Sequence, residues 1–172
     1  VEMAVEVKKP EPPQCLEFST LEKLEKEKEL IGMYLSAHPL DDYKLELKHY
    51  CNLPLSALND LDALRNREFT VGGMVTKVRQ GKTRVKASDF GILTLEDYSG
   101  SFEFPFFGQD FFDYEKYMQM GAYLMIKGKV QGRKFKPDEL EAKIYKISPL
   151  GEVLENQVKN LTLRIPLQVL SE

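Results

Sequence analysis

Two short stretches hold most of the side chains that could grip an anion. In the first, Lys77 and Arg79 are followed by Lys82, Arg84 and Lys86, with Gly81 between the two groups. In the second, Phe135 sits among Arg133, Lys134 and Lys136, and Phe90 lies just beyond the first stretch. Lys82, Arg84 and Lys86 alternate, so an exposed hairpin arm would carry three cations on one side, with Lys77 and Arg79 continuing the series back along the preceding strand. Cations of this kind neutralise phosphates and release counterions, while aromatic rings stack on flat ring systems. The plainer alternative is that the lysines and arginines only keep two loops soluble.

Other chemistries find little support. His38 lies between Ala37 and Pro39, and His49 stands alone near Cys51; neither has Asp, Glu or Cys at ligand spacing. Cys15 and Cys51 show no metal spacing, which fits a reduced, cytoplasmic setting. The acid pairs Glu96-Asp97 and Asp41-Asp42 read as a turn cap and a helix cap. No glycine-rich phosphate loop occurs around Lys8-Lys9 or Gly128 to Gly132. No catalytic residue, metal site or cofactor is therefore expected.

Net charge is −3, which by itself argues against a polyanion partner, but its distribution does not. Residues 1–66 carry −5, residues 67–150 carry +3, and the remainder −1. The basic segment is thus the one that holds both stretches. No apolar run approaches a membrane span, so no membrane contact is expected. The chain begins at Val1 and stops at Glu172 with strand-like material still running, which suggests a piece of something larger.

The elements that must position the cations can be read in order. Residues 1–18, with Pro10, Pro12 and Pro13, look like an extended linker. Residues 19–66 look helical. Ser19 and Glu22 form a capping box for a helix from Leu21 to Leu35, with Leu21, Leu24, Ile31 and Leu35 on one stripe. Pro39 closes it; Asp41 or Asp42 caps a second helix to about Tyr50, and Leu55, Leu58, Leu61 and Leu64 suggest a third. In residues 67–150, Phe69 to Thr76 alternates as a long strand, with Gly72-Gly73 placed for a bulge or sharp coil. Ile92 to Leu95, the turn Asp97-Tyr-Ser-Gly100, and Phe102, Phe104 and Phe106 make a hairpin whose phenylalanines share one face and fill the core. Gln109 to Met120 looks helical and stops at Gly121; Tyr123 to Val130 and Leu140 to Ile147 add two strands. The order strand-strand-strand-helix-strand-strand is that of a five-stranded OB-fold barrel, giving a mainly β protein with a helical N-terminal segment. Residues 151–172 read as a linker and the start of another domain, with Leu161 to Ile165 as its first strand.

Two segments also resemble a known family. Glu27-Lys-Glu-Leu-Ile-Gly-Met-Tyr-Leu-Ser-Ala-His-Pro-Leu40 resembles the segment that precedes the OB domain in the α subunit of bacterial DNA polymerase III. Val71-Gly-Gly-Met-Val-Thr76, Leu93-Thr-Leu-Glu-Asp97, Gly100-Ser-Phe-Glu103 and Phe107 extend the likeness over roughly residues 20–150. The departures are Ala37, where the family usually has Gly, and Gly91-Ile92, where it more often has a small residue and an aromatic; the second lightens a possible stacking position.

The resemblance implies a C-terminal piece of a replicative DNA-directed DNA polymerase, without the catalytic palm. It implies contact with single-stranded template DNA, and with the sliding clamp and clamp loader through the parent chain. Gln14-Cys-Leu-Glu-Phe18 departs from the Gln-x-x-Leu-Phe clamp-binding pattern, with Leu16 one place early and Glu17 at the apolar position. OB-folds grip single strands between the loop that joins their first two strands and the loop that joins their last two. The candidate contacts are then Lys77, Arg79, Lys82, Arg84, Lys86, Phe90, Arg133, Lys134, Phe135 and Lys136. A protein-docking barrel and an RNA-binding OB domain remain as alternatives.

Overall fold

A computed structural model describes residues 17–32, 34–83, 88–133 and 136–157. Its contacts divide the chain after His38 into two units. In the first, helix α1 runs Thr20–Ile31 and starts with the expected capping box: Glu22 N donates to Ser19 Oγ, and Ser19 N donates back to Glu22 Oε2. The helix ends well before Pro39. Gly32 takes a left-handed conformation (φ 87°) and its N–H donates to Lys28 O, which stops the winding there. Leu35 therefore falls off the helix, and both Ile31 and Leu35 are exposed. The Glu27 carboxylate ties down the chain beyond, accepting from Ser36 Oγ, Ser36 N and Leu35 N. Those bonds, Ser36's first, hold its carboxyl below the usual range, so the clamp is intact above the unfolded carboxylate pKa and loosens as pH falls.

The second unit holds five antiparallel strands: β1 (Glu68–Lys82), β2 (Asp89–Asp97), β3 (Gly100–Phe107), β4 (Tyr123–Arg133) and β5 (Lys136–Pro149). Their spatial order is β3-β2-β1-β4-β5. β1 serves both halves of the sheet, pairing with β4 from Glu68 to Met74 and with β2 from Met74 to Lys82. No ladder among the described residues joins β3 to β5, so hydrogen bonds do not close the barrel as the strand order suggests. Pro105 lies on the β3 edge and brings no N–H to such a ladder. The inner faces nevertheless share one core, built on Phe69, Val71, Leu93, Leu95, Phe104 and Ile126. Phe104 and Phe106 are buried and Phe102 packs against them, as their shared face predicts.

Both ends of the barrel are plugged. At one end helix α3 (Gln109–Tyr114) and a 3₁₀ turn (Glu115–Tyr117) bring Phe111 and Met118 into the core. They fit because residue 91 is glycine: a Cβ there would lie 2.5 Å from Met118 Sδ and 2.9 Å from Phe111 Cδ2. The helix is shorter than Gln109 to Met120, since the chain tightens into the 3₁₀ turn after Tyr114. At the other end a 3₁₀ segment, Leu55–Asn59, and the turns after it insert Leu55, Leu58 and Leu64. This stands where leucine spacing suggests a third α-helix; Leu61 is only half-buried, and one 3₁₀ segment followed by turns suffices to bury the other three. Asp97 fastens this plug. Its Oδ2 accepts from Leu55 N at 2.8 Å, while its Oδ1 accepts from Ser99 N, Ser99 Oγ and Gly100 N.

Helix α2 (Lys44–Tyr50) covers the outer face of β1 and β4 around Met74, Tyr123 and Met125. Asp41 and Asp42 do not cap it. They lie in a 3₁₀ turn (Asp41–Tyr43), where Asp41 instead accepts from Tyr98 Oη at 2.8 Å and pairs with Lys44 at 3.1 Å. Gly72 and Gly73 of β1 are contact points, not the bulge. A Cβ on Gly72 would lie 2.5 Å from Leu47 Cδ2, and one on Gly73 would lie 2.4 Å from Glu96 O. The bulge falls further along, between Val75 and Lys77. Just before the sheet, Asn52 pairs with Thr70 through its N–H and its Oδ1, covering the stretch of β1 that β2 does not reach. Burial lifts the neighbouring Cys51 thiol to about 12. Gly151–Gln157 forms helix α4, which sends Val153 into the cluster under α2; Leu161 to Ile165 lies outside the described residues. No helix among the described residues is long and apolar enough to cross a membrane.

Asp97→Ala removes four hydrogen bonds to a charged acceptor and frees the plug, so urea denaturation should show a loss of about 2–3 kcal/mol. Gly91→Val should cost a similar amount through the clash with Met118 and Phe111, with Leu55 still in place.

Candidate nucleic-acid interface

Strand parity decides which candidate residues meet. Val75 faces the core opposite Leu95, and Val78 faces it opposite Leu93. The extra residue between them, Thr76, shifts the alternation by one position, which turns Lys77 and Arg79 outward. On the outer face of β1–β2–β3 the register then builds three rows: Lys77, Thr94 and Glu103; Arg79, Ile92 and Pro105; Gly81, Phe90 and Phe107. Ile92 thus occupies the outward position where an aromatic would stack.

Phe90 and Phe107 are stacked, with ring centroids 6.2 Å apart and planes inclined by 29°. Phe107 is 57% exposed, and the open face of the pair lies two residues from Arg79 along the strands. Sequence reading picks out Phe90 for its place near the basic arm and leaves Phe107 aside as a family-pattern residue. The available signal was parity: Phe107 follows the inward series Phe102, Phe104, Phe106 by one residue, so it must point the other way.

Lys82 does not join Lys77 and Arg79. It lies on the opposite face of the arm, in a depression with Gln80, Asp89, Phe111, Phe112 and Glu115. The strands also extend further than the motif suggests. β1 continues to Lys82 and β2 begins at Asp89, so Lys77, Arg79 and Lys82 sit on a paired arm. Arg84, Lys86, Lys134 and Phe135 lie outside the described residues. Arg133 and Lys136 are exposed and face each other across the β4–β5 turn. Arg133 also borders a groove of ≈ 500 Å³ along the unpaired β3 and β5 edges, with Phe102, Pro105, Tyr114, Leu140 and Ile144.

Among the described residues, Arg79, Lys82, Arg133 and Lys136 each have a carboxylate beside them. Arg79 Nη2 donates to both Glu103 oxygens at 3.1 Å. Lys82 stands 4.0 Å from Asp89. Glu139 accepts from Arg133 at 3.0 Å and from Lys136 at 2.5 Å. All four pairs are solvent-exposed, so each is worth about 1 kcal/mol or less and is screened by salt. A phosphate arriving at Arg79 must displace Glu103, at little cost.

Residues 69–150 match the family described as OB-fold nucleic acid binding domain. With the strand order and the plugged core, this makes residues 69–150 an OB-fold domain. Over most of its length the chain is similar to DNA polymerase III subunit alpha. It is 31% identical to the protein of Halalkalibacterium halodurans over 96% of its own length. It is 28% identical to that of Pseudomonas fluorescens over 88%, and 31% identical to that of Pasteurella multocida over 81%. The chain spans 14%, 12% and 12% of those proteins, respectively.

Glu103→Gln leaves the Arg79 guanidinium unmasked, so affinity for an anionic strand should rise about 2- to 5-fold at low salt, with the gain fading as salt increases. Fluorescence anisotropy titrations of both proteins at two ionic strengths check it.

Proposed function

We propose that this domain guides single-stranded template DNA, without strong sequence preference, as part of the α subunit of a bacterial replicative polymerase. The observation that carries the reading is the outer face of β1–β2–β3, where Lys77 and Arg79 stand beside the stacked Phe90 and Phe107. The cations take phosphates and the rings take bases, the combination single-strand binders use. Phe90, Phe107 and Ile92 offer apolar contact, which does not select one base over another. Arg133 and Lys136 are further phosphate contacts in this reading, as are Arg84, Lys86 and Lys134, with Phe135 a further stacking residue.

In this reading the chain itself joins no nucleotides; polymerisation belongs to the remaining length of the parent protein, acting in the cytoplasm. The sliding clamp and clamp loader are partners of that parent chain. One observation favours a second reading, a docking barrel within the polymerase assembly: Asp89, Glu103 and Glu139 dilute the positive field of the cations.

Anisotropy of a labelled single-stranded oligonucleotide, at low and moderate salt, tests the first reading. Saturable binding that weakens with salt and prefers single to double strands is expected. Lys77→Glu with Arg79→Glu should abolish it, and Phe107→Ala should weaken it about 5- to 10-fold, within the range for one stacked base. Unchanged binding in both variants would transfer the case to docking.

A further inference from the structure

The face just described leaves half of the sheet without a role, and the outer side of that half carries a second set of cations. In the β4–β5 ladder Lys127 lies directly opposite Lys146, and Lys129 directly opposite Lys143. Like charges placed opposite each other weaken an antiparallel pair, and here two such pairs are adjacent. Lys143 finds relief in an ion pair with Asp110, and the residue in register with Lys129 on β1 is Glu68. Among the described residues, Lys127 and Lys146 form no ion pair, so their repulsion stands.

A bulge gives this face its aromatic residue. Gly128 pairs with Ile144 and Lys127 with Lys146, which leaves Tyr145 unpaired between them. The extra residue keeps Ile144 and Ile147 in the core while Lys143 and Lys146 face out. Tyr145 is 53% exposed with a lysine on each side along β5. Alternation along β4 continues the series through Lys127, Lys129, Gln131 and Arg133, ending at the β4–β5 turn.

We propose that the outer face of β4–β5 is a second surface for a single-stranded nucleic acid backbone, with Lys127, Lys129 and Lys146 as phosphate contacts and Tyr145 as a stacking residue. It prolongs the path that the β4–β5 loop begins, and it rests on the reading of the domain as a single-strand binder. The anion relieves the repulsion built into the ladder, and successive rows about 7 Å apart along the strands meet successive phosphates. An acidic protein would satisfy the lysines, but an exposed ring set between them is the arrangement that takes a base.

The test uses the full 172-residue chain and labelled oligodeoxythymidines of ~8 and ~24 nucleotides, the shorter within and the longer beyond the span of one OB-fold. Salt titrations of the wild type should give a steeper slope for the longer strand. Lys127→Gln with Lys146→Gln should flatten that slope by about 1.4, at about 0.7 per single-strand phosphate contact, and leave the short strand unchanged. Tyr145→Ala should weaken the longer strand about 5- to 10-fold, with Tyr145→Phe close to wild type. Thermal unfolding of the double variant should be unchanged or raised, because a repulsion is lost. A purely structural role for the lysines would lower it. If neither change affects the long strand while Phe107→Ala still weakens both, the second surface is overturned and the first reading stands. Equal losses on both strands would also overturn it, as one site would then account for everything. A wild type that binds neither strand overturns both readings.

Discussion

One strand has to serve two half-sheets, and the rest of the domain follows from how β1 manages it. Its first half pairs with β4 and its second half with β2, and Met74 has a partner on each side. A straight strand could not do this and still present an apolar face to a common core. The bulge at Thr76 resolves the conflict: it adds the bend and resets the alternation, so Val75 and Val78 both point inward. The same shift turns Lys77 and Arg79 out onto the face they share with Phe107. Packing and the candidate site are thus two results of one extra residue. The bulge at Tyr145 does the same on β5, holding Ile144 and Ile147 inside and a lysine outside on either flank.

The barrel ends are closed by segments from outside the five strands, and the energetics concentrate there. Asp97 gathers four donors from its own turn and from the Leu55 segment, so the β2–β3 hairpin and the plug hold each other in place. Its partial burial makes those bonds stronger than their surface equivalents. Gly91 plays the matching part opposite, where the lack of a Cβ lets Met118 and Phe111 seat. With both ends and the inner face committed to packing, and α2 covering part of the outer face, the outward rows of β1–β2–β3 and β4–β5 remain for contact with anything else. Those rows carry the cations. Glu103 and Glu139 beside them keep the field local.

Much of the fold was legible in local pattern. The capping box at Ser19, the turn at Asp97 to Gly100, the inward phenylalanines of β3 and the order of the strands depend on neighbours two to four residues apart. Alternation and turn chemistry therefore report them directly. Leucine spacing likewise marked the segment that plugs the barrel, although the element is a 3₁₀ turn. The misplacements share a cause. Helix α1 ended at Gly32 because of one left-handed residue, and the roles of Gly72 and Gly73 were set by Leu47 and Glu96, which no window around them contains.

For the candidate site the division is sharper. Residue types and spacing by themselves determined that the chain has an OB-type strand order and two basic stretches. Tertiary structure alone decided which cations share a face, that Phe107 joins Phe90, that Lys82 lies on the far side of the arm, and that carboxylates stand beside Arg79 and Arg133. It alone placed Lys127 opposite Lys146. The reason is physical: side-chain direction on a strand has a period of two, so one bulged residue reverses everything after it. Bulges and cross-strand partners arise from pairing between distant segments, and local propensity carries no record of them.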